Sequence, residues 1–529
     1  VAASPVLVET KFGIIEGYTT ASANAFRGVP FGQARRWESP RWPAKWNGTR
    51  KTVEDGPGCP QTCRSSIQCP TQISEDCLYL NIFTPKNVSD SGPYPVMVFF
   101  HGGGFYLGYG GGPVYDGEAL ASKGIIVVSA NYRLGAFGFL HRSLSISGNY
   151  GIRDQTFALE WVQANIELFN GDTDRVTIAG QSAGAQSVAN HMHQDSVAAE
   201  KDLFLNAILM SEPFTIGFYN RTEAHHLAKV FVEASPCRDS LDVDKCLRNL
   251  TVDILLEAQA TVEQHKSGKL LDDLETWVPT YGTREVPEDP FEAWRNGRLK
   301  YDDDDGSGVL LGTVRDEGVS IVYAKFPDPL PASQYATVVA TIFGEADAKK
   351  VLALYPPTNA SDARDTLANI TTAALFECST RYLSLWADGL VRDLVVYPYT
   401  MGQKMNPDLA RAYLGHGAQA QLCAGRVCHG GDIPFVFYPK IANYTNEEKS
   451  LIEAIQTYYT NFVKTGDPNS PIPGNELWLP IGAGMGDSFN LMNLTGSETH
   501  LLYDPHRVTC GMFDGLGYNK SYASSLLLE

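Results

Sequence analysis

The sequence predicts an α/β protein in which a large, mostly parallel sheet is covered by helices on both faces. Three observations carry that prediction. Apolar runs of buried-strand length recur at 96–100, 125–129, 176–179, 207–210, 309–312 and 394–399. The segments between them are long enough for helices, and 154–169 (DQTFALEWVQANIELF) sets Phe157, Leu159, Trp161, Val162, Ile166 and Phe169 near helical spacing, with Asn170-Gly171 to end it. Finally, at 175–187 a β-prone segment runs directly into Gly180-Gln181-Ser182-Ala183-Gly184 and then into small residues that can open a helix. Alternation of this kind implies parallel strands joined by crossover helices.

In chain order, 6–19 reads as two short strands around Lys11-Phe12-Gly13, a hairpin at a sheet edge. Phe26-Arg27-Gly28-Val29-Pro30-Phe31 and a Trp- and Pro-rich stretch to Trp46 follow, and then four cysteines. Residues 74–85 give a strand ending at Pro85, and 96–100 feeds into His101-Gly102-Gly103-Gly104-Phe105. Residues 117–123 have helix-forming content. The stretch 221–305 is polar and helical and suits a cap rather than an independent domain. Asp302 to Asp305, followed by Gly306-Ser307-Gly308, lacks the spaced ligands of a calcium loop and reads as solvated. A length of 529 residues would suggest several domains by the usual ratio. Neither an internal repeat nor a clean linker divides the chain, so the expectation is one domain over 1–529, with about 221–305 and parts of 320–390 as a helical subregion.

Composition narrows the function. With 42 basic and 60 acidic residues the formal charge is -18, which repels phosphate backbones and excludes nucleic acid as a partner. No apolar run approaches the roughly eighteen residues that span a bilayer, so a soluble protein without a stable membrane anchor is expected. The first residues, Val1-Ala2-Ala3, look like those of a processed chain. Ten cysteines, Cys59, Cys63, Cys69, Cys77, Cys237, Cys246, Cys378, Cys423, Cys428 and Cys510, lack zinc-ribbon spacing and read as disulfides of an oxidising compartment. Asn47, Asn87, Asn220, Asn249, Asn359, Asn369, Asn443, Asn493 and Asn519 each head a glycan acceptor sequence. Together these features predict a secreted, extracellular protein.

The chemistry centres on Ser182. In G-x-S-x-G the glycines remove side chains that would block a sharp strand-to-helix turn, so the serine hydroxyl is exposed as a candidate nucleophile. A hydroxyl needs a base to take its proton, and the base needs an acid to orient it. Downstream, the strand at 309–314 runs into Arg315-Asp316-Glu317-Gly318, and Cys428-His429-Gly430-Gly431-Asp432 sets a histidine in a glycine-rich loop. His191 and His193 lie just past the elbow without a further ligand set and suit packing or surface roles rather than a metal.

On six ordered motifs, SEDCLYLNIFTP, HGGGF, the helix at 154–169, GQSAG, DEG and HGGDIPFVF, the chain resembles the type-B carboxylesterase and lipase family of α/β-hydrolases, which includes the cholinesterases and secreted fungal lipases. Asn170 departs from the Gly or Arg usual at that point of the family. The resemblance implies Ser182 as nucleophile, His429 as general base and acid, Glu317 rather than its neighbour Asp316 as the orienting acid, and an oxyanion hole from the N–H groups of Gly103, Gly104 and Ala183. It implies ester hydrolysis through an acyl-enzyme without metal or organic cofactor, on a small-molecule ester, by a monomer or weak homodimer. It also implies the disulfides Cys59 with Cys77, Cys237 with Cys246 and Cys378 with Cys510, which leaves Cys63 with Cys69 and Cys423 with Cys428.

The loop closed by Cys59 and Cys77 is the lid of the lipases that the chain resembles. Here Ile67 and Ile73 are its only aliphatic side chains, and it holds no Trp, Tyr or Phe. That predicts soluble or amphiphilic esters without interfacial activation, and argues against a choline ester, whose ammonium would need an aromatic ring. Alkanoate, phenolic and sterol esters stay open. A binding-only relative that has lost a member of the triad is the rival reading; this chain keeps all three.

Overall fold

A computed structural model describes residues 4–63, 67–86, 92–264, 275–300, 307–391, 394–469, 476–483 and 489–518. One 13-stranded sheet runs through them. Its strands are β1 (Pro5–Thr10), β2 (Gly13–Thr19), β3 (Ala23–Pro30), β4 (Thr49–Lys51), β5 (Tyr79–Pro85), β6 (Tyr94–Phe100), β7 (Ile126–Ala130), β8 (Gly171–Gln181), β9 (Asn206–Met210), β10 (Gly308–Val314), β11 (Val395–Met401), β12 (Asn490–Leu494) and β13 (His500–Tyr503). They lie in the order β1-β2-β3-β5-β7-β6-β8-β9-β10-β11-β12-β13, with β4 beside β2. From β7 through β12 in that order every neighbour is parallel. In the flank β1-β2-β3-β5, and at β5 against β7 and β13 against β12, the neighbours are antiparallel, while β4 runs parallel to β2.

The parallel centre is buried on both faces, which is why its strands read as unbroken apolar runs. Every residue of β7, β9 and β10 is buried. Adjacent side chains of a strand point to opposite faces. Phe100 of β6 accordingly packs on His191, at the end of helix Ala183–His191, and Phe99 packs on Phe437 of helix Ile433–Phe437. Helices therefore cover both sides.

Some elements differ from expectation. The helix predicted at 154–169 starts earlier, spanning Tyr150–Asn165, and tightens into a 3-10 turn at Ile166–Phe169 before Asn170 (φ 63°) ends it. Packing sets that start: Tyr150, Gly151 and Ile152 are buried, and Asp154 is locked to Arg133 by two 2.7 Å hydrogen bonds from the guanidinium. The helix-forming stretch 117–123 yields Glu118–Ala121 alone, with Gly124 at φ 88° just beyond. β3, β12 and β13 are strands that periodicity did not reveal.

Helices Arg221–Glu233, Val243–Asn249 and Val252–Gln264 share a small core in which Phe231, Leu255 and Trp277 meet Trp37, Phe137 and Tyr150. This region leans on the main body through its own apolar face. The disulfides are Cys59–Cys77, Cys63–Cys69, Cys237–Cys246, Cys378–Cys510 and Cys423–Cys428. Asn47, Asn249, Asn359, Asn369 and Asn443 are exposed, and Asn220 and Asn493 half-buried. Asn87, Asn519 and the run from Asp302 to Asp305 lie outside the described residues. Among the described residues no helix is long and apolar enough to cross a membrane.

Candidate active site

The elbow stands at the carboxyl end of β8. Ser182 holds φ 56° and ψ -125°, a strained conformation for a residue with a side chain, and Ala183 begins the helix that follows. The turn closes because its glycines lack Cβ atoms. A Cβ on Gly180 would run into the carbonyl oxygen of Gly184, and one on Gly184 into that of Phe100. The N–H of Ser182 donates to Met210 O at 2.9 Å, tying the elbow to the end of β9.

Two loops bring Glu317 and His429 together. Asp316 and Cys428 form a parallel bridge, in which Asp316 N donates to Val427 O (3.0 Å) and Val427 N donates back to Asp316 Oδ2 (2.8 Å). Asp316 is thereby occupied, its other partner being Arg315. Its neighbour Glu317 turns inward, fully buried: Oε1 accepts from Val314 N (2.9 Å) and Oε2 lies 2.6 Å from His429 Nδ1. The Cys423–Cys428 disulfide braces the histidine loop one residue before His429.

Electrostatics poises this imidazole. Burial alone would lower the pKa of His429, but the charge and hydrogen bond of Glu317 outweigh it and hold the group above 6.5. With its Nδ1 proton on Glu317, neutral His429 presents Nε2 as an acceptor. Gln181, the residue before the serine, fills that place, its Nε2 lying 3.2 Å from His429 Nε2. Among the described residues Ser182 Oγ has no hydrogen-bond partner, and Gln181, not the serine, is the side chain in contact with His429 Nε2.

The glycine loop flanks the serine. Gly102 packs against Gln181 and Ser182, and Gly103 (φ 110°) and Gly104 (φ 57°) adopt conformations that favour glycine. Among the described residues the N–H groups of Gly103, Gly104 and Ala183 donate to no partner. The disulfide-closed loop stitches this turn in place: Gln61 Nε2 donates to Gly108 O and Gly108 N to Gln61 Oε1, both at 2.8 Å. His101 is stacked on Tyr132 (centroids 4.4 Å apart), and burial lowers its pKa to about 4, so it is neutral.

His191 and His193 stand apart. His191 is buried against Gln155 (3.1 Å), and His193 lies 3.6 Å from Glu288. Sequence reasoning gave no role to Gln181, one of the two variable residues of the elbow pattern. It also gave no role to three buried acids: Glu275 and Asp432, whose charges act on His429, and Glu212, whose charge acts on Glu275; only Asp432 lies in a motif read from the sequence. Burial raises Glu275 to about 7, and burial together with the charge of Glu317 does the same to Asp432.

The model of the Carboxylesterase family matches residues 4–504. The chain is 34% identical over 520 residues to the Crystal protein of Dictyostelium discoideum, which covers 96% of this chain and 90% of that one. It is 31% identical over 489 residues to para-nitrobenzyl esterase of Bacillus subtilis, covering 88% of this chain and 91% of that one. A solved PNB esterase superposes with a TM-score of 0.78 at 27% identity, over 96% of this chain and 99% of the other. With that match along nearly its whole length, the chain belongs to the carboxylesterase family of cholinesterase-like type-B α/β-hydrolases and is a carboxylic ester hydrolase.

Proposed function

We propose that this chain hydrolyses soluble or amphiphilic esters outside the cell through an acyl-enzyme on Ser182, with His429 as general base and acid and Glu317 holding the imidazole. Ser182 Oγ attacks the carbonyl carbon as its proton passes to His429 Nε2. The carbonyl electron pair moves onto oxygen, which receives the N–H groups of Gly103, Gly104 and Ala183. The alcohol then leaves with the proton from His429, and water activated by the same nitrogen releases the acid. The observation that carries this reading is the 2.6 Å contact between His429 Nδ1 and Glu317 Oε2, one side chain away from the strained serine. Ser182→Ala should lower kcat on p-nitrophenyl butanoate by about a thousandfold or more with an unchanged melting temperature; near-normal turnover would refute the assignment.

The loop closed by Cys59 and Cys77 is short, carries a second disulfide, and is tied to the glycine turn by Gln61, which favours a fixed rim over a lipase lid. Rates should therefore show no jump as a short-chain ester passes its solubility limit. Lipase, sterol-ester and phenolic-ester activities are the alternatives that such a jump, or a substrate panel, would favour. The five disulfides and exposed acceptor asparagines support secretion. We read 1–529 as one catalytic unit, with the helices of 221–305 as its cap, acting as a monomer or weak homodimer.

A further inference from the structure

Two buried acids beside the glycine turn have no part in the mechanism above. Glu212 lies two residues beyond Met210, whose carbonyl receives the N–H of Ser182, and Glu275 reaches the turn itself, its Cγ 3.7 Å from where a Cβ on Gly104 would stand. Glu275 is 7% exposed and Glu212 1%. Their charges are coupled to each other, and that of Glu275 also to His429. Gln186, one helical turn past Ser182, satisfies part of Glu275. One oxygen of each acid, Oε2, is buried with no hydrogen-bond partner among the described residues. A buried oxygen without a donor is unfavourable, and a partner arriving with the substrate relieves it.

The geometry of the reaction says which part of an ester arrives there. The leaving alcohol must face His429 Nε2, and the carbonyl oxygen must face the N–H groups of Gly103, Gly104 and Ala183. The acyl chain is the remaining substituent of the carbonyl carbon and is the part left to meet Glu275, which stands beside Gly104.

Resting on the function proposed above, we propose that Glu275, backed by Glu212, makes the acyl site polar and selects esters whose acyl chain carries a hydrogen-bond donor. Burial raises Glu275 to about 7 and Glu212 well above 4.5, so the site does not demand a cation and an uncharged hydroxyl suits it.

The test compares p-nitrophenyl 3-hydroxybutanoate with p-nitrophenyl butanoate, which share a leaving group and chain length, on the wild-type chain, Glu275→Leu, Glu275→Gln and Ser182→Ala. The wild type should favour the hydroxylated ester in kcat/KM by at least about tenfold. Glu275→Leu should bring the ratio to within about twofold, through loss on the hydroxylated ester and gain on the plain one. Glu275→Gln, matched in shape and keeping an acceptor oxygen, should hold part of the preference. Equal kcat/KM for the two esters on the wild type, or an unchanged ratio in either folded variant, overturns the inference. In that case hydrolysis of the plain ester that Ser182→Ala abolishes leaves the proposed function standing; no hydrolysis of either ester would sink both.

Discussion

Among single residues, the imidazole of His429, the proposed base, is held on both of its nitrogens. Glu317 holds the His429 Nδ1 proton, and Gln181 faces Nε2. On the proposed mechanism the imidazole must be neutral to accept the serine proton, and because Glu317 raises its pKa, kcat/KM should rise with pH along a limb displaced to higher pH than that of a free histidine. Gln181→Glu would put a carboxylate where the amide now stands and favour imidazolium. Its acid limb should move up by about one pH unit, read from the pH profile of kcat/KM, whereas an unmoved limb would mean that Gln181 does not reach the base in solution. The adjacent acids should separate cleanly. Glu317→Gln, which removes the charge orienting the imidazole, should lower kcat by about a thousandfold to ten-thousandfold. Asp316→Asn, which disturbs a backbone cap at Val427, should lower it less than about tenfold and act mainly on melting temperature. Comparable losses of kcat in both variants would contradict this division of labour.

Elements place those residues, and they were unequally legible in the sequence. The central strands stood out because burial on both faces demands unbroken apolar runs, as in β6 and β10. The elbow stood out because its backbone tolerates glycine alone at Gly180 and Gly184. By contrast, β3 hides in ANAFRGVP, since its register shifts between Phe26 and Val29 around a glycine and it carries a buried-side arginine paired with Asp55 and Asp116. β12 and β13 are short, and β13 closes the edge of the sheet. The disulfides act on elements too. Cys378–Cys510 spans 132 residues and Cys423–Cys428 spans five, so chain-entropy reasoning assigns about 5 and about 2 kcal/mol to them. Replacing the first pair by serine should lower the melting temperature more than replacing the second, whereas the second, next to His429, should lower kcat more. The opposite ranking in calorimetry and kinetics would contradict the bracing role of Cys423–Cys428.

Across the whole molecule, buried titratable groups set how stability follows pH. Glu275 and Asp432 are raised to about 7 from ordinary values of 4.5 and 3.8, and Glu212 is raised well above 4.5, in each case chiefly by burial. Each keeps its proton longer when folded, so its contribution weakens as pH rises from its unfolded value through its folded one. His101 and His191 are lowered by burial to about 4 and about 3, so they destabilise the fold as pH falls below 6.5. The two sets oppose each other between about 4.5 and 6.5. Above that window the carboxyls remain, joined by His429, whose raised pKa adds stability that is lost as pH rises. Below it the histidines and the depressed carboxylates such as Asp362 act alone. Melting temperature should therefore plateau across that window and fall on both sides; a steady rise to alkaline pH would show that the acids are not buried as described. This coupling was illegible in the sequence, because Glu275 and Glu212 lie far apart along the chain and meet only in three dimensions.

On the proposed mechanism one serine, activated by His429 and Glu317, carries the reaction, and trapping it covalently tests this. Incubation with a p-nitrophenyl phosphonate, which loses nitrophenolate as its phosphorus bonds to the nucleophile, should give one adduct per chain. Peptide mass mapping should find it on Ser182, with ester hydrolysis falling in proportion to labelling. An adduct on another residue, or full hydrolysis by the labelled protein, would contradict the account.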